Sequence, residues 1–316
     1  MKKVLGIILA LFVLIPVADA QRRYKDARSY YREFQAQTRK IGIKNMRYLE
    51  AVVKGDDARR INKYREMVVE QMKDSQRSLS RVGAYNGDDV LHREYMAALD
   101  LYLEAFEKDF GAAEELTANR YNSYEDLQKY FEAANKAELK MLDAAFKIEK
   151  AEDYFGKTYQ VDLRRDTILR NKQILLDEVT VYTRELTSIY FRIDGELTAL
   201  FNAIDANKGD TLAIIITNLR KAIRTAQGEL KDIEPFEYDD ALEDQLEYYM
   251  DEIDGSIDED LRPMAESFQF KYQDSGDLEE AQAILADMKE WQKSSRAEYF
   301  ETQAELIADY LEEAEY

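Results

Sequence analysis

Residues 89–110 read DVLHREYMAALDLYLEAFEKDF, and residues 240–261 read DALEDQLEYYMDEIDGSIDEDL. These two stretches decide the fold. At a shift of 151 positions, Leu91, Tyr95, Leu99, Tyr102, Phe106 and Phe110 fall on Leu242, Leu246, Met250, Ile253, Ile257 and Leu261. Steps of three and four put all six on one helix face, the period of a bundle seam. The same shift lays Asp88-Asp89 on Asp239-Asp240 and Asp126-Leu127 on Asp277-Leu278. Such self-similarity marks two copies of one structural unit. It sets an architecture and is silent about chemistry.

Working outward, each copy holds four helical segments. In the first, a helix over 24–53 carries Tyr30, Phe34, Ile41, Tyr48 and Val52 inward. Lys54-Gly55-Asp56 closes it, with Gly for the left-handed residue and Asp to cap the next start. A second helix, 57–82, turns Ile61, Tyr64, Val68, Met72, Leu79 and Val82 inward, and breakers fill 83–88. The third covers 89–116. The fourth opens on Ser123-x-x-Asp126, a capping box with Asp in place of Glu, and runs to 155. The second copy repeats the plan over 167–206, 211–233, 240–268 and from 277 onward, with Lys208-Gly209-Asp210 closing its first helix. Helices of about 25–35 residues are roughly 40–50 Å long. Short loops make consecutive ones antiparallel. The prediction is all-α: two tandem up-down-up-down four-helix bundles, 21–160 and an acidic 161–316. The alternatives are an eight-helix solenoid, or fusion of the fourth and fifth helices through 156–166 to set the bundles end to end.

The first twenty residues read as a secretory signal peptide. Met1-Lys2-Lys3 is basic, 4–17 is apolar, and Ala18-Asp19-Ala20 offers a cleavage site before Gln21. That apolar run is short of the roughly 20 residues a spanning helix needs. With no cysteine there is neither a lipid-anchor site nor a disulfide. The expected location is the periplasm or cell surface of a Gram-negative-type bacterium, with no transmembrane segment in the mature chain. The net charge of −20 is uneven. Residues 21–160 hold 26 Lys+Arg and 25 Asp+Glu, whereas 161–316 hold 16 and 38, net −22. Such a field repels phosphate backbones and excludes nucleic acid as a partner, while favouring cations or a basic protein.

The turn between the second and third helices and the close of the fourth carry a family pattern. The turns are Pro235-Phe236-Glu237-Tyr238-Asp239 and the variant Ala84-Tyr85-Asn86-Gly87-Asp88; the closing segment is Phe155-Gly156-Lys157-Thr158-Tyr159. On these the chain resembles an uncharacterised leptospiral-type surface-protein family of exported helical bacterial proteins, in two copies. The resemblance implies export and a helical bundle. It implies no activity and carries over no functional residue.

Catalytic chemistry finds few groups to work with. There is no cysteine nucleophile, no Gly-x-Ser-x-Gly elbow and no phosphate-cradling glycine loop. His92 is the only histidine, so a second Glu-x-x-His for a di-iron centre is missing; the shift of 151 puts Glu243 opposite it. No catalytic residue and no cofactor is expected. Residues 237–260 hold twelve carboxylates and no Lys or Arg. Within them Asp251, Asp254, Asp258 and Asp260 are the candidate ligands of a weak calcium site, because hard cations take several oxygens and Asp254-Gly255-Ser256 can loosen the helix. The same stretch is otherwise a solvated acidic face or a dock for a basic partner. The 22 tyrosines fall largely on inward stripes and read as core. Expected function is therefore binding or scaffolding by an exported helical protein, with an envelope protein or a basic molecule as partner. Divalent-cation binding is the alternative.

Overall fold

The computed structural model describes residues 24–163, 167–237, 239–269 and 275–313. Among these, helices account for nearly the whole chain and no strand occurs. The fold is all-α, built as helical bundle. The expected signal peptide, 1–20, lies outside the described residues, as does Tyr238 of the second turn.

The chain divides into two compact units. One runs to Ala118 and resumes over Tyr130–Asn171; the other takes Asn119–Lys129 and Lys172 onward. This division differs from the expected boundary at 160/161 in two ways: it falls at 171/172, and it gives Asn119–Lys129 to the second unit. The cause of the second is local: the Tyr121 ring stacks on Phe191 at 5.2 Å and meets Phe300 at 4.7 Å, and Gln128 donates to Ser188 Oγ at 2.9 Å.

In the first unit α1 is Ala27–Val53, α2 is Ala58–Leu79, and α3 is Val90–Glu104 continuing through a π-helical turn, Ala105–Asp109, into Phe110–Thr117. Helix α4 is Tyr124–Tyr159, of which Tyr130 onward belongs to this unit. Asp26 caps α1 reciprocally with Ser29, and Asp57 caps α2 through Arg60 N. α1 packs along α2, and α2 against α3. Tyr30, Phe34, Leu79, Leu91, Tyr95 and Phe155 form one buried cluster; Tyr48, Val68, Met72, Phe106 and Phe110 belong to a second. Ile41 and Val52 are half-buried, and Tyr31 and Met46 take inward places that the stripe did not include. Helix α4 ends in left-handed Gln160 (φ 52°), with Val161 N donating to Gly156 O at 3.0 Å. It therefore does not run on into the next helix.

In the second unit α5 is Thr167–Asp205, and a 3-10 turn, Gly209–Thr211, leads into α6, Leu212–Leu230. α7 is Ala241–Ser256, a π-helical turn Ile257–Leu261, then Arg262–Gln269; α8 is Ser275–Glu313. Leu186, Ile193, Leu219, Ile223, Met250 and Tyr299 are fully buried.

Two features correct the sequence reading. The first is the π-turn in each unit. Six stripe positions from Leu91 to Phe110 span 19 residues, whereas five α-turns take about 18. One extra residue must be absorbed, and the π-turn absorbs it, closing with Phe110 N on Ala105 O and, in α7, Arg262 N on Ile257 O. The second is the close of α5. Gly209 does not supply the left-handed residue; Asn207 does, at φ 54°. Lys208 N bonds Ala203 O and Asn207 N bonds Ile204 O, the same paired closure that Asp56 N on Ala51 O and Gly55 N on Val52 O make in α1. Gly209 serves another purpose: a β-carbon there would lie 3.0 Å from Gln269 Cα.

Candidate functional site

Helix α6 ends at Leu230, and Asp232 N and Ile233 N fold back onto Glu229 O and Leu230 O. The chain then makes a tight turn in which Asp239 N donates to Phe236 O at 2.8 Å, with Glu237 left-handed at φ 50°. Asp239 Oδ1 accepts Ala241 N and starts α7. The turn is latched by Tyr310 of α8, whose hydroxyl donates to Phe236 O at 3.1 Å while its ring meets Phe236 edge-on at 4.6 Å. Tyr182 of α5 packs against the other side of Phe236 at 5.7 Å and donates to Glu243 Oε1 at 3.0 Å. Burial, with Asp240, Glu247 and Asp244 nearby, pushes the Glu243 carboxyl above its usual range, and the Tyr182 hydrogen bond only partly offsets this.

The result is an open depression of about 580 Å³ between α5 and the turn. Its floor is apolar: Val181, Tyr182, Ile233, Pro235 and Phe236. Its rim is Asp177, Glu178, Glu185, Asp232, Glu234 and Glu237, six carboxylates and no cation. Val181 is 54% exposed, an unusual place for a branched aliphatic side chain ringed by charge. Of these residues the sequence reading placed only Glu237 in a candidate site, at the start of the acidic stretch 237–260. The available signal was the contrast between the two turns at a shift of 151, where Arg81, Gly83 and Asn86 stand against Asp232, Glu234 and Glu237.

The four aspartates expected to bind calcium are not gathered. Asp251 and Asp254 are exposed and Asp260 is half-buried. Both oxygens of Asp258 are engaged, Oδ2 by Arg220 at 2.6 Å and Oδ1 by Arg262 at 3.0 Å. A regular helix scatters carboxylates around its axis, and the π-turn does not close them into a cage. Among the described residues no group of three or more His, Cys, Asp or Glu is arranged to hold a metal ion. His92 has a structural place: its Nε2 lies 3.0 Å from Leu79 O, at the last turn of α2.

Two further carboxylates lie inside the units. Glu152 of α4 accepts from the hydroxyls of Tyr31, at 2.9 Å, and Tyr95. Asp194 of α5 accepts from Tyr249 at 3.0 Å and Gln292 at 2.8 Å, with Arg296 3.8 Å away. Burial raises the Asp194 pKa, and Arg296, Gln292 and Tyr249 pull it back only in part. Around it the Tyr190 ring stacks on Tyr299 at 4.3 Å, and Tyr249 lies flat on Trp291 at 5.2 Å. Tyr95, Asp194, Tyr190, Tyr249 and Tyr299 are buried, and their hydrogen bonds and ring contacts tie helices together inside each unit.

The fold and the groove together define an all-α helical-bundle protein with an acidic-rimmed apolar surface. Comparison with known protein families, curated sequences and solved structures finds no match to this chain. No helix among the described residues is long and apolar enough to cross a membrane.

Proposed function

We propose that this protein acts by binding rather than catalysis, as an exported scaffold of the bacterial cell envelope, and that it takes a cationic, amphipathic segment of a partner in the groove between α5 and the α6–α7 turn. The observation that carries this is the pairing of an exposed apolar floor with six carboxylates in its lining. Such a surface is costly to leave facing water and is complementary to Lys/Arg side chains flanking an apolar anchor. In the same proposal the two units are duplicated four-helix bundles. The turn latch supports this: Tyr159 donates toward Tyr85 O at 3.4 Å as Tyr310 does toward Phe236 O, each pair 151 residues from its counterpart. Division into two compact units favours tandem bundles over a solenoid. If the copies are duplicates, the acidic rim is a specialisation of the second.

The test is fluorescence anisotropy of the chain from Gln21 with a labelled helical peptide of Lys and Leu. Binding should weaken with salt and be lost in Val181→Asp and in Glu178→Lys/Glu234→Lys, both surface changes. Absence of binding, or binding indifferent to both variants, overturns the groove. Export has its own test: expression in a Gram-negative host should yield a product beginning at Gln21 in the periplasm or outside the cell, and an uncleaved cytoplasmic chain refutes it.

A further inference from the structure

Helix α6 carries charge of the wrong sign for its surroundings. Within 161–316, net −22, the segment Leu212–Leu230 holds Arg220, Lys221 and Arg224 against a single acid, Glu229. No acidic residue stands three or four positions from any of the three cations, while Arg220 and Arg224 face one another at i,i+4, a spacing at which like charges repel. A helix in an acidic unit has carboxylate neighbours available to relieve this, and among the described residues only Asp258 is used. It bridges Arg220 and Arg262, at 2.6 and 3.0 Å, and so sets two guanidinium groups side by side. Lys221 and Arg224 form no ion pair among the described residues.

The four cations converge on one depression of about 360 Å³, floored by Ile216 and walled by Arg220, Lys221, Arg224 and Arg262. The two hydroxyls beside it are turned to the backbone: Thr217 donates to Ala213 O at 2.8 Å and Thr225 to Lys221 O at 2.9 Å. The hydrogen-bond donors facing the depression are therefore those of the charged side chains. Guanidinium forks match the oxygens of a tetrahedral oxyanion two at a time, and an ammonium adds a point charge. Four positive charges against one carboxylate leave a local surplus of three, which a bound dianion would reduce to one. The negative field of the rest of the unit does not forbid this, because at physiological ionic strength it is screened beyond about 8 Å.

We propose that Arg220, Lys221, Arg224 and Arg262 form a binding site for a phosphate or sulfate group. The group has two possible sources, a free anion or the headgroup of an anionic lipid, and one experiment separates them. The chain from Gln21 is titrated calorimetrically with inorganic phosphate and with inorganic sulfate at constant ionic strength set by chloride. In parallel it is floated with vesicles of phosphatidylglycerol and of phosphatidylcholine. Saturable binding of phosphate or sulfate without flotation assigns a free anion. Flotation on phosphatidylglycerol alone, with or without binding of the small anions, assigns the headgroup. In either case Lys221→Glu/Arg224→Glu, both exposed, should weaken binding by about tenfold or more, while Lys63→Glu in the first unit changes nothing. No saturable binding in either arm, flotation equal on both vesicles, or binding untouched by Lys221→Glu/Arg224→Glu overturns the site.

Discussion

Replacing Tyr249 by Phe removes one oxygen and leaves the ring in place. The hydroxyl donates to Asp194 Oδ1 at 3.0 Å, and Asp194 is only 3% exposed. Stacking on Trp291 at 5.2 Å and the tilted contact with Tyr190 at 4.6 Å survive the change. The loss is therefore one hydrogen bond to a buried carboxylate, about 1.5–3 kcal/mol. The pH dependence identifies it. Burial already holds the Asp194 pKa above its unfolded value, so the native state binds this proton more tightly than the unfolded chain. Stability from this group is then highest at low pH and falls as pH rises through the folded pKa. Removing the phenol raises that pKa further and widens the window. Destabilisation by Tyr249→Phe should be largest at pH 8 and shrink, toward the roughly 0.5–1.5 kcal/mol of a neutral hydrogen bond, as Asp194 takes up its proton. Trp291 is the only tryptophan in the chain and lies flat against Tyr249, so its fluorescence in urea reports this unit alone. With m of about 2 kcal/mol/M, the midpoint should drop by about 1 M at pH 8. A loss below about 0.5 kcal/mol at pH 8, or a loss that stays the same from pH 8 down to the lowest pH at which the chain is folded, would refute an ionised Asp194 held by Tyr249.

Other expectations follow from the same geometry. Gly55→Ala and Asn207→Ala should each cost about 1–2 kcal/mol, because both positions are left-handed and Gly55 has open space around it, so the cost is conformational; Asn207→Gly should cost nothing, and urea melts followed by circular dichroism check all three. Gly209→Ala should destabilise by about 1–3 kcal/mol through the close approach to Gln269 Cα, although a loop Gly→Ala change without a contact would stabilise; a rise in melting temperature would disprove the contact. Amide protection in the intact chain should diverge with pH. Around Asp109, burial pushes the carboxyl up but Lys136 and Lys140 outweigh it and hold it low, so protection there is lost as pH falls below about 4. Around Asp194 the sign is opposite, and parallel losses at both places would refute the assignment.

The stripes were legible because the burial of large apolar side chains repeats with the helix. All six positions from Leu242 to Leu261 are essentially inaccessible, as the spacing required. The π-turns were not read from the sequence, because the one surplus residue of those spacings looks like ordinary seam drift until it is counted against 3.6 per turn. Lys208-Gly209-Asp210 misled because it repeats a tripeptide and not a conformation. The closure residue in α5 stands 152 positions from Gly55, which is Asn207, whereas the tripeptide stands 154 away. The groove was not legible from either of its halves. Asp177–Glu185 is a mixed helical face and Asp232–Glu237 an acidic loop; only tertiary packing of Tyr182 on Phe236 turns them into one surface.

Where the two units agree and where they differ separates structure from function. The latch of tyrosine on turn, the six-position stripe and the paired helix closure recur, and each meets a backbone demand that any such helix pair has: unpaired carbonyls, a buried seam and a left-handed stop. The interior polar groups do not recur. Glu152 on α4 serves Tyr31 and Tyr95, whereas Asp194 on α5 serves Tyr249 and Gln292. A buried carboxylate is tolerated wherever enough donors meet it, so its position can differ between the two units without loss of fold. Surface charge is freer still. The acidic rim and the cationic depression of α6 both lie on the second unit, and neither is needed to bury the seam. Both are charge that packing does not require, and both proposals of binding rest on it.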